Sequence, residues 1–352
     1  MRSLEVVWLK AGRLFEFNTP VRIVDVPDPK IEGPMDVIVK VGGAGVCGTD
    51  NNIQRGLANP SPKLPYTLGH ENAGWIEEAG PVAASAGMKK GDPVILHPLI
   101  SCGLCKACRA GNDMHCINSK FPGINTDGGY AQFIKTSVRS VIRLAAGTDP
   151  VPLAPYADAG ITSYHALKRV VSKLDPGSTA VVIGIGGLGH FAIQMLKALT
   201  PASVIGIARS NAKVEFAKQL GADAAFPAGK DGGVKDVLDF TNGIGADAVL
   251  DFVADQGTPD TGVKMIRKGG TYCIIGEGGT VSDPTIDMIV RELDIIGSFV
   301  GTYTELSELM ELNRMGKIKI VSKVYPMSEV VQVMKDLKEG RVLGRSVLDP
   351  WK

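Results

Sequence analysis

At 352 residues the chain exceeds the length at which one hydrophobic core stops growing, so two domains are expected. Its 38 lysines and arginines nearly cancel its 37 aspartates and glutamates, leaving no long-range field to gather nucleic acid or an anionic membrane; a basic-patch binder is excluded. The 43 glycines point to many tight turns and close backbone approaches, not to disorder.

The first ten residues carry Arg2, Glu5 and Lys10 around a short apolar run, without the h-region or cleavage site of a signal peptide, so secretion is not expected. Up to about residue 156 the chain holds 14 of its 21 prolines, mixed with short alternating apolar segments at 37–41, 74–78 and 93–96. That texture reads as irregular β structure. From about residue 160 the rhythm changes to apolar runs at 179–184, 203–208, 222–226, 247–253, 271–276 and 293–299, separated by helix-period segments. Six strands alternating with helices imply an α/β, doubly wound parallel sheet. The apolar window 180–199 is broken by four glycines, His190, Gln194 and Lys197, and reads as strand, turn and helix, not as a membrane span. Beyond Val300 follow a helix (305–315), a strand (319–324), a helix (328–338) and an apolar run (345–348), a tail expected to fold back on the first domain.

Gly184, Gly186, Gly187 and Gly189 form G-x-G-G-x-G between a predicted strand and a predicted helix, the context in which this pattern marks a dinucleotide loop. The glycines permit the turn and let the backbone approach a pyrophosphate, while the helix start offers free N–H groups and a positive dipole end. An acidic residue about 20 positions further on would favour NAD. Ala208 stands there instead, followed by Arg209, Ser210 and Lys213, a cationic and hydrogen-bonding group that suits a 2′-phosphate. NADP(H) is therefore the preferred cofactor, with NAD(H) tolerated if Arg209 and Lys213 are merely solvated.

Four of the six cysteines crowd into one segment as C-x2-C-x2-C-x7-C: Cys102, Cys105, Cys108 and Cys116. Four thiolates at tetrahedral reach make a closed, structural zinc site. An iron–sulfur cluster would need a different fourth spacing and a proline after Cys116, where Ile117 stands. Clustered thiols of this kind suit a reducing, cytoplasmic setting better than a disulfide framework. Cys47, in Gly-Val-Cys-Gly-Thr-Asp, and His70, in Gly-His-Glu, are weak signals singly, since a lone cysteine or histidine is commonly a core residue. Beside a dinucleotide loop and a four-cysteine site they become candidates for a catalytic metal.

These residues resemble the zinc-containing medium-chain alcohol dehydrogenases. The resemblance rests on Gly-Val-Cys-Gly-Thr-Asp (45–50), Gly-His-Glu (69–71), Gly-Asp-Pro-Val (91–94), the four-cysteine lobe, Asp-Gly-Gly-Tyr-Ala (127–131) and Gly-Ile-Gly-Gly-Leu-Gly (184–189), in the family's order. It implies a GroES-like, β-rich catalytic domain (1–158), a Rossmann domain inserted in it (159–299) and a C-terminal segment (300–352) returning to the catalytic domain. It also implies two zinc ions per subunit, a small alcohol or ketone substrate with secondary alcohols favoured, and a dimer or tetramer.

By the same resemblance Cys47, His70 and Asp158 hold the catalytic zinc. Many relatives carry cysteine where Asp158 stands; the carboxylate keeps one negative charge on the metal. Glu71 is the competing ligand, required if Asp158 is only a helix cap. Thr49 matches the family's proton-relay hydroxyl, Asn52 replaces the histidine that often continues the relay, and Asp50 resembles the carboxylate that orients the histidine ligand. Leu188 and Thr162 would flank the nicotinamide, and Arg345 would meet the pyrophosphate. His190 and His165 carry no assigned role, and Cys273 reads as a buried strand residue. The alternatives are a zinc-independent quinone or enone reductase and a non-catalytic zinc-ribbon interaction protein.

Overall fold

A computed structural model describes residues 8–57 and 62–352. The expectation of no signal peptide falls, for residues 1–7, outside the described residues. The chain forms two compact units. One runs up to Ala159 and includes residues 302–310 and 322–352; the other comprises residues 160–301 and 311–321.

In the first unit the strand Asp36–Val46 is the organising element. Its β-branched run Val37, Ile38, Val39 and Val41 is buried, as suits a strand covered on both faces. Arg345–Asp349 pairs with it antiparallel along one edge and Glu71–Ala79 along the other, while Phe133–Ser137 takes over along its first half. Pro93–Leu96 and Val141–Arg143 extend the sheet beyond Glu71–Ala79, and Ser322–Pro326 closes the opposite side, giving seven strands. A three-stranded sheet of Trp8–Leu14, Arg22–Pro27 and Tyr66–Thr67 completes the β structure. Val39, Val41, Ile76, Val94 and Leu348 form the core together with Val330, Val333 and Met334 from the helix Val330–Lys338.

This register decides where chemistry can gather. Gly45 lies opposite Glu71, and Val46 lies opposite Ser346. The end of one strand and the starts of its two neighbours therefore bring Cys47, the His70–Glu71 pair and Arg345 together. A Cβ on Gly45 would strike the Glu71 carboxylate, so a residue without a side chain is needed there. The 3-10 segment Val151–Ala157, buried from Leu153 to Ala157, packs on both central strands and delivers Asp158 to the same corner.

The second unit holds six strands, all parallel, in the order Ala224–Pro227, Ser203–Ala208, Thr179–Ile183, Ala246–Asp251, Ile266–Ile274, Asp294–Gly297. The third strand in space is the first in sequence, the doubly wound order in which ligands meet the strands' carboxyl ends at the reversal point. Val181, Ile183, Ile205, Ile207, Val249 and Tyr272 form its core. Residues 311–321 belong to this unit, which departs from the expected return of all of 300–352 to the first domain. Gln194, on the helix Gly189–Leu199, explains the difference: its amide donates to the Lys319 carbonyl at 2.9 Å and accepts from the Lys319 N–H at 3.0 Å. With its backbone so engaged, Lys319 lies outside the strand expected at 319–324, which forms at Ser322–Pro326.

Candidate active site

Cys47, His70, Glu71 and Asp158 each place one ligand atom within 4.8 Å of the others. The Asp158 Oδ2 lies 3.6 Å from the Cys47 sulfur and 3.4 Å from His70 Nε2. Two donors bound tetrahedrally to zinc, at its usual bond lengths to sulfur, nitrogen and oxygen, stand about 3.3–3.7 Å apart. The separations thus fit a metal before any is bound. Thr49 Oγ1 is 3.7 Å from the same sulfur.

The electrostatics agree with that donor set. Burial opposes a proton on His70, yet the Asp50 and Asp158 carboxylates outweigh it and raise its pKa well above the ordinary value. Burial pushes Asp158 upward, while His70 and Arg345 more than reverse this and hold it well below the usual carboxylate range. A corner that grips a proton so firmly is one whose field suits a cation. Behind it, Asp50 is fully buried, accepts from the Cys47 N–H at 2.8 Å and faces His70 Nδ1 at 3.5 Å.

Arg345 requires a correction. Expected at a pyrophosphate, it is only 3 % exposed, and its guanidinium forks onto both oxygens of the fully buried Glu71, the Nε–Oε2 arm at 3.2 Å. The terminal nitrogen that meets Glu71 Oε1 also lies 3.5 Å from Asp158 Oδ2. A carboxylate withdrawn from water needs such a partner. Even so, burial exceeds the effect of Arg345 and lifts the Glu71 pKa to about 7. Glu71 also accepts from the Ala159 N–H at 3.3 Å. No spacing in the sequence announces this pair, because its members meet only through the strand register.

Cys102, Cys105, Cys108 and Cys116 form the second group. The Cys105–Cys108 and Cys102–Cys108 sulfurs are 3.5 and 4.0 Å apart, close to the roughly 3.8 Å between thiolates on one tetrahedral zinc. The Cys102 N–H donates to the Cys116 sulfur at 3.2 Å.

In the second unit Gly184 has a φ of +92°, and a Cβ on Gly189 would strike the Gly184 carbonyl, while Gly186 has open space above it. These are the turn and the close helix–strand approach of a dinucleotide loop; Gly187 and Leu188 complete it. Ser163 donates to the Leu188 carbonyl at 3.0 Å and ties the helix Ala159–Val170, with Thr162, to that loop. His190 is buried, its Nδ1 3.3 Å from the Gly186 carbonyl, which is a structural place. Ala208 ends its strand and is buried. Arg209 donates to Gln256 Oε1 at 3.1 Å, Ser210 caps the next helix by accepting from the Lys213 N–H, and neither cation has a carboxylate partner among the described residues. Desolvation and the Arg209 charge lower the pKa of Lys213.

Residues 33–146 match the family model for the alcohol dehydrogenase GroES-like domain, and residues 187–314 match that for zinc-binding dehydrogenases. The chain belongs to the zinc-containing medium-chain alcohol dehydrogenase family. D-arabinose 1-dehydrogenase (NADP(+)) of Saccharolobus solfataricus is 35% identical, over 99% of this chain and 100% of that protein. An NAD-dependent alcohol dehydrogenase of Sulfurisphaera tokodaii is 34% identical over 97% of this chain and 100% of its own length. The crystal structure of the alcohol dehydrogenase from the hyperthermophilic archaeon Aeropyrum pernix superimposes with a TM-score of 0.94 at 47% identity, covering 97% and 100% of the two chains. The chain is accordingly an NAD(P)-dependent oxidoreductase of the alcohol dehydrogenase type, with a GroES-like domain, a Rossmann-type zinc-binding dehydrogenase domain and a small-molecule alcohol substrate. Among its described residues no helix is long and apolar enough to cross a membrane.

Proposed function

We propose that this dehydrogenase interconverts a secondary alcohol and its ketone, with NADP(H) as the preferred cofactor, through one catalytic and one structural zinc per subunit. The observation that carries the reading is the set of donor separations among Cys47, His70 and Asp158. Cys47, His70 and Asp158 would hold a zinc ion that would supply a Lewis acid for the substrate oxygen, and a nicotinamide cofactor at the glycine loop would supply the hydride acceptor or donor. Asp158 serves better than Glu71 as the third ligand, because both Glu71 oxygens already accept from Arg345. Thr49 is the first protein group to take the substrate's proton, at Oγ1; Asn52 follows where relatives carry histidine, so the outer path runs through water or a cofactor hydroxyl. Asp50 fixes the ring of His70. Cys102, Cys105, Cys108 and Cys116 hold their loop in place and take no part in the chemistry.

Support for NADP(H) comes from Arg209 and Lys213, two cations without a carboxylate partner among the described residues, set beside Ala208 in place of an acid. The solfataricus relative is named for NADP(+) and the tokodaii relative for NAD, so the choice rests on these residues. We place the enzyme in the cytoplasm as a dimer or tetramer, on the reduced cysteines and on what is usual among such enzymes. A panel of ketones with NADPH and NADH tests the reading: NADPH should oxidise faster, and Cys47→Ser and Asp158→Ala should each abolish turnover. Full activity in Asp158→Ala would reject the ligand set. A zinc-independent reductase has no use for these donors, and nothing in the site favours it.

A further inference from the structure

Asp-Gly-Gly-Tyr-Ala (127–131) has no part in the chemistry above, yet it is braced against the segment that carries His70. Gly128, Gly129 and Tyr130 donate their N–H groups to the carbonyls of Thr67, Gly69 and Leu68 at 2.8, 2.7 and 2.9 Å. Asp127 Oδ1 accepts from the Thr67 N–H at 2.7 Å. Tyr130 is fully buried, and its hydroxyl donates to Asp50 Oδ2 at 2.8 Å. The same oxygen takes the Cys47 N–H. Oδ2 thus has two donors, whereas Oδ1 has no hydrogen bond and faces His70 Nδ1, which has none either, across 3.5 Å.

We propose that Tyr130 is a positioning residue for the metal-binding histidine: by saturating one oxygen of Asp50 it turns the other toward His70 Nδ1 and keeps Nε2 open to the metal. The inference rests on the reading of His70 as a zinc ligand oriented by Asp50. A buried carboxylate orients toward its donors, and with Oδ2 filled from two sides the oxygen left free faces the imidazole. A neutral histidine that donates from Nδ1 holds its lone pair on Nε2, the nitrogen beside Asp158. Without the tyrosine hydroxyl, Oδ2 is one donor short in a space that excludes water, and Asp50 is free to rotate away from the ring.

The test is zinc release to a chromophoric chelator from the full-length protein, with Cys47→Ser identifying which fraction belongs to the Cys47 site. Tyr130→Phe keeps the ring and its packing while removing the hydroxyl. Loss of a group that orients a ligand typically costs 10–100-fold in metal affinity, and one step further out the lower end is expected. Tyr130→Phe should release zinc from the Cys47 site about tenfold faster, leave the four-cysteine fraction unchanged, and add nothing in an Asp50→Asn background. Release within twofold of the parent, equal acceleration of both fractions, or the same acceleration in the Asp50→Asn background would overturn the proposal. If Cys47→Ser instead removes no zinc at all, the underlying metal reading fails, whatever Tyr130 does.

Discussion

Replacing Arg345 with methionine keeps an unbranched apolar stem and removes the charge, leaving Glu71 fully buried against a neutral side chain. Breaking a buried ion pair from one side costs about 3–5 kcal/mol, because the remaining charge is stranded. Here proton uptake limits the loss. Burial has already raised Glu71 from an ordinary value of 4.5 to about 7 despite Arg345, a burden of about 3 kcal/mol on the charged form at pH 8. The sign follows from linkage: a carboxyl whose folded pKa lies above its unfolded one favours the folded state below about 4.5 and loses that contribution as pH rises through about 7. Arg345→Met raises the folded pKa further, so its deficit should be largest at pH 8 and shrink by pH 5.5, where Glu71 takes up a proton. Urea unfolding of the zinc-stripped protein, followed by tryptophan fluorescence, is a suitable assay, since Trp8, Trp75 and Trp351 all belong to the first unit. The double variant Glu71→Gln with Arg345→Met should recover most of the loss. A deficit under about 1 kcal/mol at pH 8, or one equally large at pH 5.5, would refute the argument.

Three further outcomes are expected. Ala208→Asp places a carboxylate where the 2′-phosphate is proposed to bind and should lower the ratio of NADPH to NADH kcat/KM by about tenfold or more; an unchanged ratio would remove the case for a phosphate pocket. Cys105→Ser opens the closed four-thiolate site, so thermal stability and zinc content should fall, with kcat of the remaining folded enzyme largely kept; a selective loss of kcat would contradict a structural role. Burial pushes the Cys273 thiol up to about 12, so iodoacetamide at pH 8 should leave it unmodified in the folded enzyme and alkylate it in urea, as peptide mass spectrometry would show. Labelling in the folded state would count against its burial.

Local pattern carried much of this molecule. The six parallel strands lie near their expected positions because short apolar runs between helix-period segments can be buried in few other ways. The glycine loop and the cysteine lobe were legible because each works through residues close in sequence. Cys47 and His70 stand out only beside the glycine loop and the cysteine lobe, and Asp158 only through family resemblance, since their assembly depends on strand pairing across long separations. Arg345 shows the limit most clearly. Its partner is Glu71, 274 positions away, and only the register of Arg345–Asp349 beside Asp36–Val46 brings them together. Tyr130 escaped for the same reason: nothing local to Asp127–Ala131 says that its hydroxyl meets Asp50. Nor does the tail's own pattern show that Gln194, on the first helix after the loop, engages the backbone of Lys319.

The proposed chemistry depends on one zinc ion shared by Cys47, His70 and Asp158. Anomalous diffraction from crystals of the purified enzyme, collected on both sides of the zinc absorption edge, locates that ion. Two zinc peaks are expected, one bonded to the Cys47 sulfur, His70 Nε2 and an Asp158 oxygen, the other inside the four-cysteine lobe. A peak in the lobe alone would rule out the shared ion.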